Sequence, residues 1–121
     1  MSLGEIVCVL LALTGIGLLY IGYRQTNGTL PKNSSFGTRT RATTASPKAW
    51  VAGNRAAASL SYIQGAICII CGVAGFAVYS PTSPLYLVFG GFAVIAMFGI
   101  SGFQVVRASR AAQHADDENT P

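Results

Sequence analysis

At 121 residues the chain has room for one domain. Half of it is hydrophobic (51%) and only 10% is charged, which excludes disorder as a description of the whole. A net charge of +4 would point weakly to nucleic acid in a soluble protein, but the placement of the charges points to a membrane instead.

Three stretches, 6–23, 57–79 and 85–106, contain no Asp, Glu, Lys or Arg. Crossing a hydrocarbon core of ~30 Å takes ~20 mostly apolar residues, and each stretch is of that order. The expected fold is an all-α integral membrane protein. It has three transmembrane helices and a structured cytoplasmic loop between helices 1 and 2. One membrane domain covers 1–107, with spans at about 5–24, 56–79 and 84–107 and a basic loop at 25–55.

Helix 1 opens without a positive n-region, so it reads as a retained membrane helix and not as a cleaved signal. Tyr20 and Tyr23 near its end suit the headgroup layer. The segment 26–45 is rich in turn formers: Asn27-Gly28, Pro31, Asn33 and Gly37. It also carries Lys32, Arg39 and Arg41, with Arg24, Lys48 and Arg55 at or near its borders. Arg107 and Arg110 follow the third span, while residues 1–5 and the second loop have neither Lys nor Arg. With three spans, the first loop and the C-terminus share one side. The positive-inside rule makes that side cytoplasmic, in a bacterial cell membrane with the N-terminus outside.

Ser46-Pro47 has the form of an N-cap followed by proline at the first helical position. A helix from there to Tyr79 would be about 50 Å long, so its first turns should project into the headgroups with Trp50 as anchor. Asn54, Ala58, Ser61, Gly65, Cys68, Gly72, Gly75 and Tyr79 recur at spacings of 4 and 3, which puts them on one face. Small residues let helix backbones approach closely in lipid, so this stripe is expected to pack helices. Gly91, Gly99 and Gly102 suggest a shorter stripe on helix 3. Such faces either close the three-helix bundle or receive another membrane protein or a second copy. The turn 80–84 is short enough to make helices 2 and 3 an antiparallel hairpin, and 108–121 reads as a disordered tail.

Little here points to catalysis. Cys68 and Cys71 form a C-x-x-C inside a span, with no Lys, Arg or His nearby in sequence to favour a thiolate. They read as small packing residues. Gln64 should bond a neighbouring helix, and Gln104 is a further large polar residue in or near the spans. His114 is the only histidine, and no Cys/His cluster suggests a metal. Neither an enzyme activity nor a cofactor is expected.

The basic loop is expected to lie against anionic lipid headgroups, and its residue order adds more. Asn33, Gly37, Arg39-Thr40, Thr43, Ser46, Trp50 and Asn54-Arg55 resemble the signature of the SdpI/YfhL family. That signature is roughly N-x-x-x-G-I-R-T, T-x-x-S-x-x-x-W and N-R, lying between a first and a second membrane helix. Thr38 replaces the usual aliphatic residue, and Arg41 stands where proline is frequent. The longer immunity members have more than three spans. The resemblance implies a role in resistance to, or signalling of, a secreted antimicrobial peptide toxin, with these loop residues as the recognition element. The alternative is an accessory subunit that packs its helices on a larger membrane complex. In physical terms, Arg39 and Arg55 offer planar donor forks, Trp50 and Asn54 share a helix face, and the Thr and Ser hydroxyls can hold the loop against that helix.

Overall fold

The computed structural model describes residues 1–31 and 37–117, apart from the side chain of Asp116. Three helices account for most of it: α1 (Leu3–Asn27), α2 (Pro47–Ala77) and α3 (Leu85–Asp117). Each is long and apolar enough to cross a membrane.

The helix ends follow from local chemistry. Ser2 and Glu5 form a capping box at the start of α1, and Gly28 ends that helix in the left-handed region at φ 68°. Ser46 Oγ accepts from the Ala49 amide at 3.0 Å, with Pro47 beside it, as the sequence predicts for the start of α2. Ser83 Oγ accepts from the Leu85 amide at the start of α3. The turn between α2 and α3 closes through a Ser80–Ser83 bridge and makes the two helices a hairpin.

Helix α2 lies between the other two, and α1 and α3 hardly touch. The predicted small stripe on α2 is buried: Asn54, Ala58, Ser61, Gly65, Cys68, Gly72 and Gly75 all face inward. Tyr79 ends the stripe differently, half-buried and edge-on to Tyr86 at 5.0 Å. A matching stripe on α1 explains the fit. Gly4, Cys8, Leu11, Gly15, Leu18, Gly22 and Gln25 recur with the same 4–3 rhythm, and all of them are buried or half-buried. The tightest crossing is at Gly15 and Gly65. A Cβ on Gly15 would lie 2.6 Å from Gly65 O, and one on Gly65 would lie 2.8 Å from Gly15 O. Only hydrogen fits at either position.

Three expectations need correction. Gly91, Gly99 and Gly102 do not pack the bundle, since a Cβ on any of them would meet nothing within 4 Å. Helix α3 instead turns Ala93, Gln104, Ala108, Ala112 and Ala115 inward. Second, residues 108–117 are not a disordered tail: α3 continues to Asp117, and 118–121 lie outside the described residues. Its final turns are alanine-rich, and the overhanging start of α2 gives them a surface to pack on. A Cβ on Gly53 would lie 2.9 Å from Ala108 O. Third, Trp50 is not an interfacial anchor, because only 2% of it is exposed.

Candidate functional site

The start of α2 organises the loop. Trp50 lies under the chain, and its indole N–H donates to Leu30 O at 2.8 Å. Asn54, one turn later, is the hub. Its Oδ1 accepts from the Thr38 amide at 2.7 Å and from Gln25 Nε2 at 2.8 Å. Its Nδ2 donates to Trp50 O at 3.1 Å and Thr38 O at 3.4 Å. All four hydrogen-bonding sites of the carboxamide are thereby used.

The network then runs inward. Ser61 Oγ donates to Gln25 Oε1 at 2.6 Å and accepts from Gln104 Nε2 at 2.8 Å. Thr38, Asn54, Gln25, Ser61 and Gln104 therefore form one relay through the loop and all three helices. Gln25, Asn54, Ser61 and Gln104 are all buried. In apolar surroundings an unpaired amide is costly, so the relay fixes where the loop sits.

Gly37 lies at φ 92°, in the region that favours glycine. A Cβ there would be 2.5 Å from Leu30 Cδ2 and 2.7 Å from Asn54 Oδ1. Thr40 and Thr43 close the next turn. Thr40 N donates to Thr43 Oγ1 at 2.8 Å, and Thr43 N donates to Thr40 Oγ1 at 3.1 Å. Thr43 is fully buried, and its methyl group would meet a Cβ on Gly53 at 2.5 Å. Ser109 Oγ on α3 donates to Thr40 Oγ1, so the end of α3 also holds the cap.

The cations stay outside. Arg39 is exposed and stacks on the Trp50 ring, with Cζ 5.5 Å from its centroid. Arg55 is exposed, and its Nε donates to Thr26 O in the last turn of α1. Arg41 and Lys48 are also exposed. The cap thus has a satisfied polar interior and a basic outer surface.

A match to the SdpI/YfhL protein family spans residues 29–102, more than half of the chain. The chain belongs to the SdpI/YfhL protein family. No curated protein and no solved structure matches it. The SdpI/YfhL match takes in the cap, all of α2 and α3 as far as Gly102. Helix α1 and its Gln25 lie before the matched residues, although Gln25 bonds directly to Asn54.

The predicted loop residues divide by position. Gly37, Thr40, Thr43, Ser46, Trp50 and Asn54 build the cap, whereas Arg39 and Arg55 lie on its surface. Asn33 lies outside the described residues. Gln64 bonds across to α3 as predicted, its Nε2 donating to Met97 O at 3.0 Å and Ser101 Oγ at 2.9 Å. Cys68 and Cys71 are buried free thiols within α2. Gln25, Leu30 and Gly53 are missing from the sequence reading. Only Gln25 left a signal, as the last member of the α1 stripe.

Proposed function

We propose that this SdpI/YfhL membrane protein acts in resistance to, or signalling of, an antimicrobial peptide toxin. The basic face of the loop cap would be its recognition surface. The family match across the cap carries this reading, supported by a rigid cap that presents Arg39, Arg41, Lys48 and Arg55 outward. Held on the cytoplasmic face, these side chains meet anionic headgroups, each worth about 1 kcal/mol near the surface. Buried cap residues hold the surface in shape, and exposed ones make contact.

The protection test separates these roles. Arg39→Ala combined with Arg55→Ala should abolish protection at equal protein levels in a cell where toxin resistance is measurable. Replacing 80–84 by another short turn that keeps the hairpin should leave protection intact. Loss through the turn with no loss through the arginines would overturn the assignment.

Orientation has its own test. Ala45 is exposed on the cap. Ala45→Cys, in a background without Cys8, Cys68 and Cys71, should resist an impermeant maleimide in intact cells and label after permeabilisation. Labelling from outside would place the cap on the opposite face.

One observation favours the accessory-subunit reading. On α3, Phe92, Ile95, Phe98 and Phe103 are exposed alongside the open glycines. A stoichiometric partner retained in mild detergent, and released by Gly99→Leu, would support that reading.

A further inference from the structure

Because α1 and α3 barely touch, a cleft opens between them in front of α2, directly beneath the cap. It encloses about 180 Å³. One wall is apolar, with Leu18 and Ile21 from α1 and Met97 from α3. Facing it are Gln64, Ser101 and Gln104, and among the described residues no Asp, Glu, Lys, Arg or His lines the cleft.

Two glutamines in this cleft are unfinished. Gln64 is 3% exposed and Gln104 is 8% exposed. Gln64 Nε2 donates to Met97 O, and Gln104 Nε2 donates to Ala57 O. A backbone carbonyl only accepts, so both carboxamides are fixed with nitrogen toward the backbone and Oε1 on the other side. Neither Oε1 accepts a hydrogen bond among the described residues. No fully buried side-chain oxygen there lacks a partner, so both Oε1 atoms reach open space.

We infer that this cleft is a binding site for a membrane-inserted peptide, which it holds by backbone or side-chain amide N–H groups. The two free acceptors call for a donor. No carboxylate lines the cleft among the described residues, which rules against an ammonium headgroup, because two neutral oxygens do not repay the desolvation of a cation. The ester region of a lipid brings only acceptors. A membrane-inserted peptide pairs most of its backbone N–H groups within its own helix, but those of its first turn and any side-chain amide are neutral donors that lack a partner and gain from meeting one. The apolar wall suits a hydrophobic side chain next to that amide, and the gap between α1 and α3 allows entry from the lipid side. The inference deepens the resistance reading and rests on it for the peptide's identity in the cell.

The test uses the full chain in nanodiscs of phosphatidylethanolamine and phosphatidylglycerol. The probe is a short acetylated leucine-rich peptide carrying a photoreactive diazirine side chain. Its control is the same peptide with every amide N-methylated, which has no donors. Cross-linking mapped by mass spectrometry should fall on Leu18, Ile21 and Met97. It should exceed the control by about tenfold, as expected for one or two net hydrogen bonds. Ile21→Trp, which fills the cleft without removing a hydrogen bond, should abolish it. Gln64→Leu should reduce it part of the way to the level of the control peptide, because the Gln104 acceptor remains.

Equal labelling by both peptides would overturn the site, as would labelling spread over outward residues such as Phe98. A photoreactive phosphatidylethanolamine that labels the cleft and is not displaced by the peptide would assign it to lipid and overturn the inference. Capture of the peptide without protection in cells would sink the resistance reading alone. Protection unaffected by Ile21→Trp, with no peptide capture, would sink the cleft alone.

Discussion

Gly15→Leu is expected to separate α1 from α2. At this crossing a Cβ would lie 2.6 Å from Gly65 O and 2.8 Å from the Ile69 amide nitrogen. Both are backbone atoms within a helix and cannot turn aside as a side chain can. Relief requires the helices to move apart, which costs about 3 kcal/mol or more and loses the close contacts at Gly65 and Gly72. Gly72→Leu should act in the same way, since a Cβ there would be 2.7 Å from Cys8 O. Gly99→Leu is the matched control because its surroundings are open. Cys8 and Cys68 are buried at 4% and 0% exposure, which makes them natural reporters. Their reaction with N-ethylmaleimide in detergent should accelerate in the Gly15 and Gly72 variants and stay unchanged with Gly99→Leu. Equal rates in all three would mean that α1 is not held by this seam.

The three spans and the α2 stripe were legible because membrane helices obey two strong rules. A span must be long and apolar, and helices that pack in lipid need small residues at a regular pitch. The start of α2 was legible from Ser46-Pro47, since an N-cap and an N1 proline are local signals. Helix α3 was misread because glycine spacing alone does not say which face meets a neighbour. Its inward face is marked by Ala93, Gln104, Ala108 and Ala112, and alanine is common on any helix face. The continuation past 107 has a local trace in its alanines, but the surface it packs on, the overhanging turns of α2, is a tertiary cause. Trp50 fits an interfacial anchor by sequence position. Only the loop folding back to bring Leu30 O to its N–H makes it a core residue. Gln25 was missed for a similar reason: its partners Asn54 and Ser61 lie 29 and 36 positions away.

This distribution bears on how the cap works. Signature residues that a motif reading would assign to recognition, such as Gly37, Thr43 and Asn54, are spent on holding the loop in place. Their loss would disturb any recognition by the cap indirectly, by letting the basic surface move. Protection assays alone would not separate that effect from a lost contact. A direct measure of cap geometry is needed, and the chain supplies one. Trp50 is the only tryptophan and is buried at the centre of the cap.

Asn54→Ala should therefore release the cap while leaving the helices in place. The substitution strands the Thr38 amide and Gln25 Nε2, while the carbonyls of Thr38 and Trp50 lose one donor each but keep Thr43 Oγ1 and the α2 backbone. An unsatisfied buried group costs about 1–3 kcal/mol, and some of these will find water, so a net loss near 3 kcal/mol is expected for the folded cap. Asn54→Asp should be at least as damaging. A carboxylate keeps the acceptor for Thr38 and Gln25 but sets a second acceptor against the two carbonyls, and it buries a charge. Trp50 emission should shift to the red in both variants, with greater quenching by acrylamide, while far-ultraviolet circular dichroism keeps its helical amplitude. Arg55→Ala, which removes only an exposed bond to Thr26 O, should leave the emission unchanged. If Asn54→Ala leaves Trp50 as blue and as shielded as in the parent protein, the carboxamide hub does not hold the cap.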